Sequence, residues 1–148
     1  MDNINVWKKV LNNKEEVKYS FSIGKKYLKF HLIVWGIVCL PFTMFYGSGL
    51  VVYLFFLFYY GFYLKAANSY AFTDKRILIH TGLFSTHVIS VDYVNITDIR
   101  VGEPFFESVF TKTGYLAINT AGSNHLEVVL RHVERPYELK KKLDEIRG

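Results

Sequence analysis

Apolar and polar positions along the chain change their rhythm from segment to segment. Ile4, Trp7 and Leu11 recur at spacings of three and four beside Lys8, Lys9 and Asn12, which predicts a short interfacial helix over residues 3–12. So few residues make a marginal helix, and a frayed tail is the competing reading. Val17, Tyr19, Phe21 and Ile23 then alternate with Lys18, Ser20 and Ser22, the period of a strand with one apolar face. A lone strand is unstable, so it is expected to pair with a sheet formed elsewhere in the chain. From Phe30 to Leu64 no Asp, Glu, Lys or Arg occurs in 35 residues, and Gly47-Ser48-Gly49 lies near the midpoint. That run is too long for one membrane-spanning helix, and its glycine break falls where a hairpin of two spans would turn.

Beyond Asn68 the texture becomes short β-branched and aromatic runs divided by turn residues. Strands are predicted at Ser69–Thr73, Arg76–Thr81, Phe84–Val91, Ile96–Val101, Gly114–Thr120 and Leu126–Arg131, with a loop from Gly102 to Thr113. The period lengthens again at the end. Pro136 suits a first helical turn, Leu139, Leu143 and Ile146 form a stripe, and Lys140, Lys141 and Lys142 occupy the other faces. The expected class is α+β: a two-helix transmembrane hairpin plus an antiparallel sandwich or partly open barrel capped by a C-terminal helix. The division is a juxtamembrane segment at 1–29, the hairpin at 30–67 and the sheet domain at 68–148.

Charge gives the hairpin a direction. The net charge is +5, and residues 1–29 hold seven Lys against three acids, whereas residues 65–148 hold eleven basic and ten acidic residues. The surplus therefore flanks the apolar run rather than covering a domain, which favours anionic lipid headgroups over nucleic acid. Lys25, Lys26, Lys29, Lys65, Lys75 and Arg76 are the expected membrane-surface contacts. The connecting loop carries no charge, so the positive-inside rule places both termini in the cytoplasm of a multi-pass cell-membrane protein. A strict 17-residue first run spans roughly 25 Å, slightly short of a hydrocarbon core of roughly 30 Å; Lys29 can snorkel to close the gap. A re-entrant hairpin and a helical hairpin buried in a globular core are the alternatives. A cleavable signal peptide is rejected, because the run starts late, lacks a small-x-small site and continues into a second apolar run. The single cysteine, Cys39, excludes an intramolecular disulfide framework.

One family matches this order of elements. Tyr70-Ala71-Phe72-Thr73-Asp74-Lys75-Arg76-Ile77, Gly82-Leu83-Phe84, Val94-Asn95-Ile96-Thr97-Asp98-Ile99, Gly114 through Gly122, Leu130-Arg131-His132-Val133 and Pro136-Tyr137-Glu138-Leu139 resemble the bacterial pleckstrin-homology-like domain of small membrane proteins with a preceding helical hairpin. The resemblance implies a PH-like fold and a non-catalytic interaction module at the inner membrane face. Such a module would scaffold membrane complexes or assist export, with a membrane protein as its unidentified partner. The chain departs from that pattern in the loop 103–113, where the family has Gln or Ser and an Arg. Phe105, Phe106 and Phe110 make the loop apolar here, which suggests contact with membrane or a partner; a self-packed loop is the other reading.

Candidate chemistry is sparse. His31, His80, His87, His125 and His132 form no helical metal pair, although His80 and His87 flank a turn. No phosphate-cradling glycine loop, nucleophile elbow or paired carboxylates in a recognisable context is present. No catalytic residue, cofactor or metal is expected. A homo-oligomeric hairpin assembly, pore-like in one form, and an anionic-lipid-binding protein are the alternative functions; the pore suffers from spans that lack charged residues to line water.

Overall fold

The computed structural model describes residues 7, 10–12, 14–44, 47–83, 87–121 and 128–148. The chain enters through strand β1 (Val17–Ser22) and rises into helix α1 (Lys25–Cys39, closed by a 3-10 turn at Pro41–Met44). It returns through helix α2, which is α-helical over Ser48–Phe58, π-helical over Tyr59–Tyr63 and α-helical again over Leu64–Ala67. Strands β2 (Asn68–Thr73), β3 (Arg76–Thr81), β4 (His87–Asp92) and β5 (Ile96–Gly102) follow. After them come a short helix α3 (Phe105–Phe110), β6 (Thr113–Thr120), β7 (Val128–Glu134) and helix α4 (Pro136–Arg147).

Two antiparallel sheets result, ordered β1-β2-β3-β4 and β5-β6-β7, and they are not closed into a barrel. The alternating strand at 17–22 does pair as its period requires, with Ser20 opposite Ala71 and Ser22 opposite Ser69. The hairpin is therefore inserted between two neighbouring strands of one sheet. Its mouth is tied shut by Ser22 Oγ, which donates to the carbonyls of Lys65 at 3.1 Å and Asn68 at 2.5 Å. A division of the chain at residue 68 cuts through this sheet.

The inward faces of both sheets meet in one core of Phe72, Ile77, Ile79, Leu116, Ile118 and Leu130, all buried. Helix α4 covers the open side. Leu139 and Leu143, one turn apart, enter the core while Lys141 and Lys142 stay exposed. The stripe of Leu139, Leu143 and Ile146 legible in the sequence is thus the inner face of this cap.

Several expectations change in detail. Trp7 is fully buried, but against Ala71 and Leu78 on the outer face of the first sheet, with Val10, Leu11 and Val17 around it. Ala71 and Leu78 are register partners, and the small Ala71 side chain leaves room for the indole. The stripe expected to rest on a membrane covers a sheet instead, while Ile4 lies outside the described residues. Strand β4 begins at His87, and Phe84 falls outside the described residues. Strand β7 reaches Glu134 because Thr113 and Gly114 extend β6 far enough to pair with Glu134 and Val133. The expected loop 102–113 contains α3, whose last turn is closed by the Thr111 N–H to the Glu107 carbonyl at 3.0 Å.

The hairpin base as candidate functional site

The two helices of the hairpin are each 20 residues long, Lys25–Met44 and Ser48–Ala67, and only 11% and 6% of their most apolar stretches are buried. Ile33, Ile37, Leu50, Val51, Phe55 and Phe58 project outward without cover. Inward, the contact is aromatic. Trp35 stacks on Phe56 at 3.8 Å between ring centroids, and His31 stacks on Tyr60 at 5.0 Å. Near the tip the helices close onto backbone: a Cβ at Gly49 would sit 2.3 Å from the Cys39 carbonyl oxygen. Only glycine fits there.

The base of the hairpin is joined to the second sheet. The Gly24 N–H donates to the His132 carbonyl at 2.7 Å, and the Lys26 N–H donates to Glu134 Oε1 at 3.2 Å. The His132 ring stacks on Tyr27 at 4.0 Å and bonds Glu107 Oε2 through Nδ1 at 3.1 Å. Thr113 donates to the same carboxylate oxygen at 3.2 Å. His132 holds a left-handed φ of +54°, a conformation uncommon for a residue with a Cβ. An edge of β7, the start of α1 and α3 thus converge on one imidazole.

Helix α3 extends the apolar surface of the hairpin sideways. Phe110 stacks on Phe30 at 5.2 Å, and Phe105 and Phe106 are 74% and 72% exposed. The three phenylalanines singled out in the sequence therefore stand together at the hairpin base. Lys25, Lys26 and Lys29 are exposed in the first turns of α1, and Lys65 is exposed in the last turn of α2. The topology brings these four together and leaves two others apart. Lys75 and Arg76 occupy the turn at the opposite end of β2, one strand away, roughly 17 Å at about 3.4 Å per residue.

Arg76 is also engaged. Its Nε and Nη2 reach Glu15 Oε1 and Oε2 at 2.8 and 2.7 Å, and Nη2 bonds the Val10 carbonyl at 3.2 Å. Thr73 Oγ1 donates to Glu15 at 2.8 Å. The Arg76 guanidinium holds the Glu15 carboxyl down at about 2, and the carboxylate in turn raises Arg76. Arg76 has the geometry of a structural clamp.

His80 lies opposite Val88 and His87 opposite Thr81 in the β3–β4 ladder. His80 meets the edge of Trp7 at 6.3 Å. Among the described residues, no group of three or more His, Cys, Asp or Glu is placed to hold a metal ion. The Glu107–His132 pair was missed from sequence, since 25 residues separate its members. The signal that existed was Glu107 set between Phe105-Phe106 and Val109-Phe110.

Known structures share this architecture. A DUF1696 family protein with a pleckstrin-homology domain from Shewanella loihica PV-4 superposes with a TM-score of 0.54 at 11% identity, covering 100% of this chain and 99% of that one. A pleckstrin homology domain from Shewanella amazonensis SB2B gives 0.55 at 13% identity, covering 97% and 84%. At such identities the likeness speaks for the fold alone. Comparison with curated proteins finds no match. The sequence profile of the bacterial PH domain family matches residues 23–147, most of the sheet domain together with the hairpin, and the chain belongs to that family.

Proposed function

We propose that this bacterial PH domain protein is a non-catalytic interaction module anchored in a membrane by its inserted hairpin. The observation that carries this reading is the placement of two uncovered apolar helices between β1 and β2. A sheet domain of this size leaves nothing on the described surface to bury them, and in water they would expose far more contiguous apolar area than a soluble monomer carries. Insertion between paired strands supports a close seating of the domain. Both ends of the hairpin leave the membrane within one strand spacing, so the domain sits directly on the bilayer surface. Lys25, Lys26, Lys29 and Lys65 then face headgroups, and Phe105, Phe106 and Phe110 reach the interface beside them. The lysines at the base and the absence of charge at the tip support the cytoplasmic side. From that position the domain scaffolds neighbouring membrane proteins or assists export.

Membranes from cells expressing the full chain test the anchor directly. After a pH 11 carbonate wash the protein should remain in the pellet, and a fluorescent fusion at Gly148 should resist protease added outside intact cells. Release by carbonate overturns the anchor, and cleavage from outside overturns the cytoplasmic orientation.

A further inference from the structure

We infer that a cleft at the hairpin base, between α1 and α4, binds the phosphate of an anionic phospholipid headgroup. The cleft encloses about 310 Å³ and takes cations from separate elements: Lys26 from α1, Lys112 before β6, Arg135 after β7 and Lys142 from α4. Tyr19 of β1 forms part of the wall, and Lys142 Nζ sits 3.8 Å above its ring centroid, which holds the ammonium in place. Two carboxylates share the cleft, and both are engaged. Glu134 accepts the Lys26 backbone N–H at 3.2 Å, and Glu138 accepts from Arg135 at 3.2 and 3.4 Å. Among the described residues, the ammonium groups of Lys26 and Lys112 have no carboxylate partner.

The backbone shows where side chains matter. Lys112 and Arg135 hold φ of +52° and +50°, and the Arg135 N–H donates to the Lys112 carbonyl at 3.2 Å. Glycine is the residue that adopts such angles at least cost, yet both positions carry long cations aimed at one cleft. Strain of this kind persists only where the surrounding structure over-determines it, and it clusters at ligand sites. Lys26 lies in the first turn of α1, so the cleft opens at the level where that helix would leave the bilayer. The anion within reach at that level is a lipid phosphate.

This assignment rests on the membrane reading of the hairpin. The full chain in neutral detergent micelles is titrated calorimetrically with dihexanoyl phosphatidylglycerol, dihexanoyl phosphatidylcholine and inorganic phosphate. Phosphatidylglycerol should bind at least about tenfold more tightly than either of the others. Each cleft lysine near a lipid surface is worth about 1 kcal/mol, so Lys112→Gly and Lys142→Gln should each weaken it about fivefold. Lys112→Gly relieves the left-handed backbone and so keeps the fold, which circular dichroism verifies. Equal affinity for phosphatidylcholine, equal affinity for inorganic phosphate, or unchanged binding by both variants overturns the cleft. A chain that resists carbonate yet fails this titration loses the cleft alone; a chain released by carbonate loses the anchor and the lipid site with it.

Discussion

The Arg76 guanidinium forks onto the Glu15 carboxylate across 61 residues of sequence, at 2.8 and 2.7 Å, and ties the N-terminal segment to the turn between β2 and β3. The Glu15 side chain is fully buried and Arg76 is 17% exposed, so each ion depends on the other. Breaking such a pair by removing one member leaves an uncompensated charge. Arg76→Ala should therefore cost about 3 kcal/mol, read as the shift in the urea unfolding midpoint in detergent.

The same pair sets an acid limit. The Glu15 carboxyl is lowered from 4.5 to about 2 by Arg76 first, with Thr73 and the Asn12 N–H assisting. A depressed folded pKa contributes stability that is complete above the unfolded value and lost as pH falls. Between pH 4.5 and pH 2 the wild type should lose about 3 kcal/mol more than Glu15→Gln, whose amide does not titrate in that window. Parallel stability curves for the two proteins would refute the assignment.

A third prediction separates two glycines of the hairpin. Alanine at 49 would place its Cβ 2.3 Å from the Cys39 oxygen and 2.6 Å from the Thr43 nitrogen, both backbone atoms that cannot swing aside. Nothing lies within 4 Å of a Cβ at Gly61, in the π-helical turn. Gly49→Ala should destabilise by about 3 kcal/mol, and Gly61→Ala should leave the Tm unchanged or raised. Thermal unfolding in detergent, followed by fluorescence, distinguishes the two.

Where a physical signal was local, the sequence disclosed it. The period-two run around Tyr19 and Phe21 became β1, the leucine stripe of 136–147 became the cap, and the uncharged run became the hairpin. What escaped depends on partners distant in the chain. Arg76 looks like a surface cation until Glu15 is brought beside it, and Trp7 looks interfacial until Ala71 offers a pocket. Helix α3 has six residues, too few for a period to register. Lys112 and Arg135 adopt left-handed angles without the glycine or asparagine that ordinarily marks them. Their convergence with Lys26 and Lys142 is a property of the closed fold.

The junction through His132 yields a fourth prediction. Its ring stacks on Tyr27 and bonds Glu107 through Nδ1, while its carbonyl receives the Gly24 N–H. His132→Ala removes the ring contacts and leaves the Glu107 carboxylate with Thr113 as its side-chain partner. The loss should be about 1–2 kcal/mol and local to the joint. Hydrogen exchange over Gly24–Leu28 should accelerate about tenfold, with the β2 and β3 amides unaffected. Uniform acceleration across both sheets would show that His132 supports the core rather than the joint.

The proposed seating of the domain on a bilayer is tested by two exposed apolar residues at its opposite ends. Phe106 stands 72% exposed on α3 beside the hairpin base, whereas Val94 is 90% exposed between β4 and β5, at the far end of the strands. A domain seated on its hairpin buries the first in the interface and keeps the second in water. Replacing Trp7 and Trp35 with Phe in both proteins leaves a single reporter, introduced as Phe106→Trp or Val94→Trp. In vesicles carrying brominated acyl chains, fluorescence of the Phe106→Trp protein should fall by about half, because bromine quenches at contact range and an indole prefers the interface. The Val94→Trp protein should keep its intensity, since a strand of six residues holds it roughly 17 Å farther from the lipid. Equal quenching of both would mean that the domain lies on its side, and quenching of Val94→Trp alone would invert it.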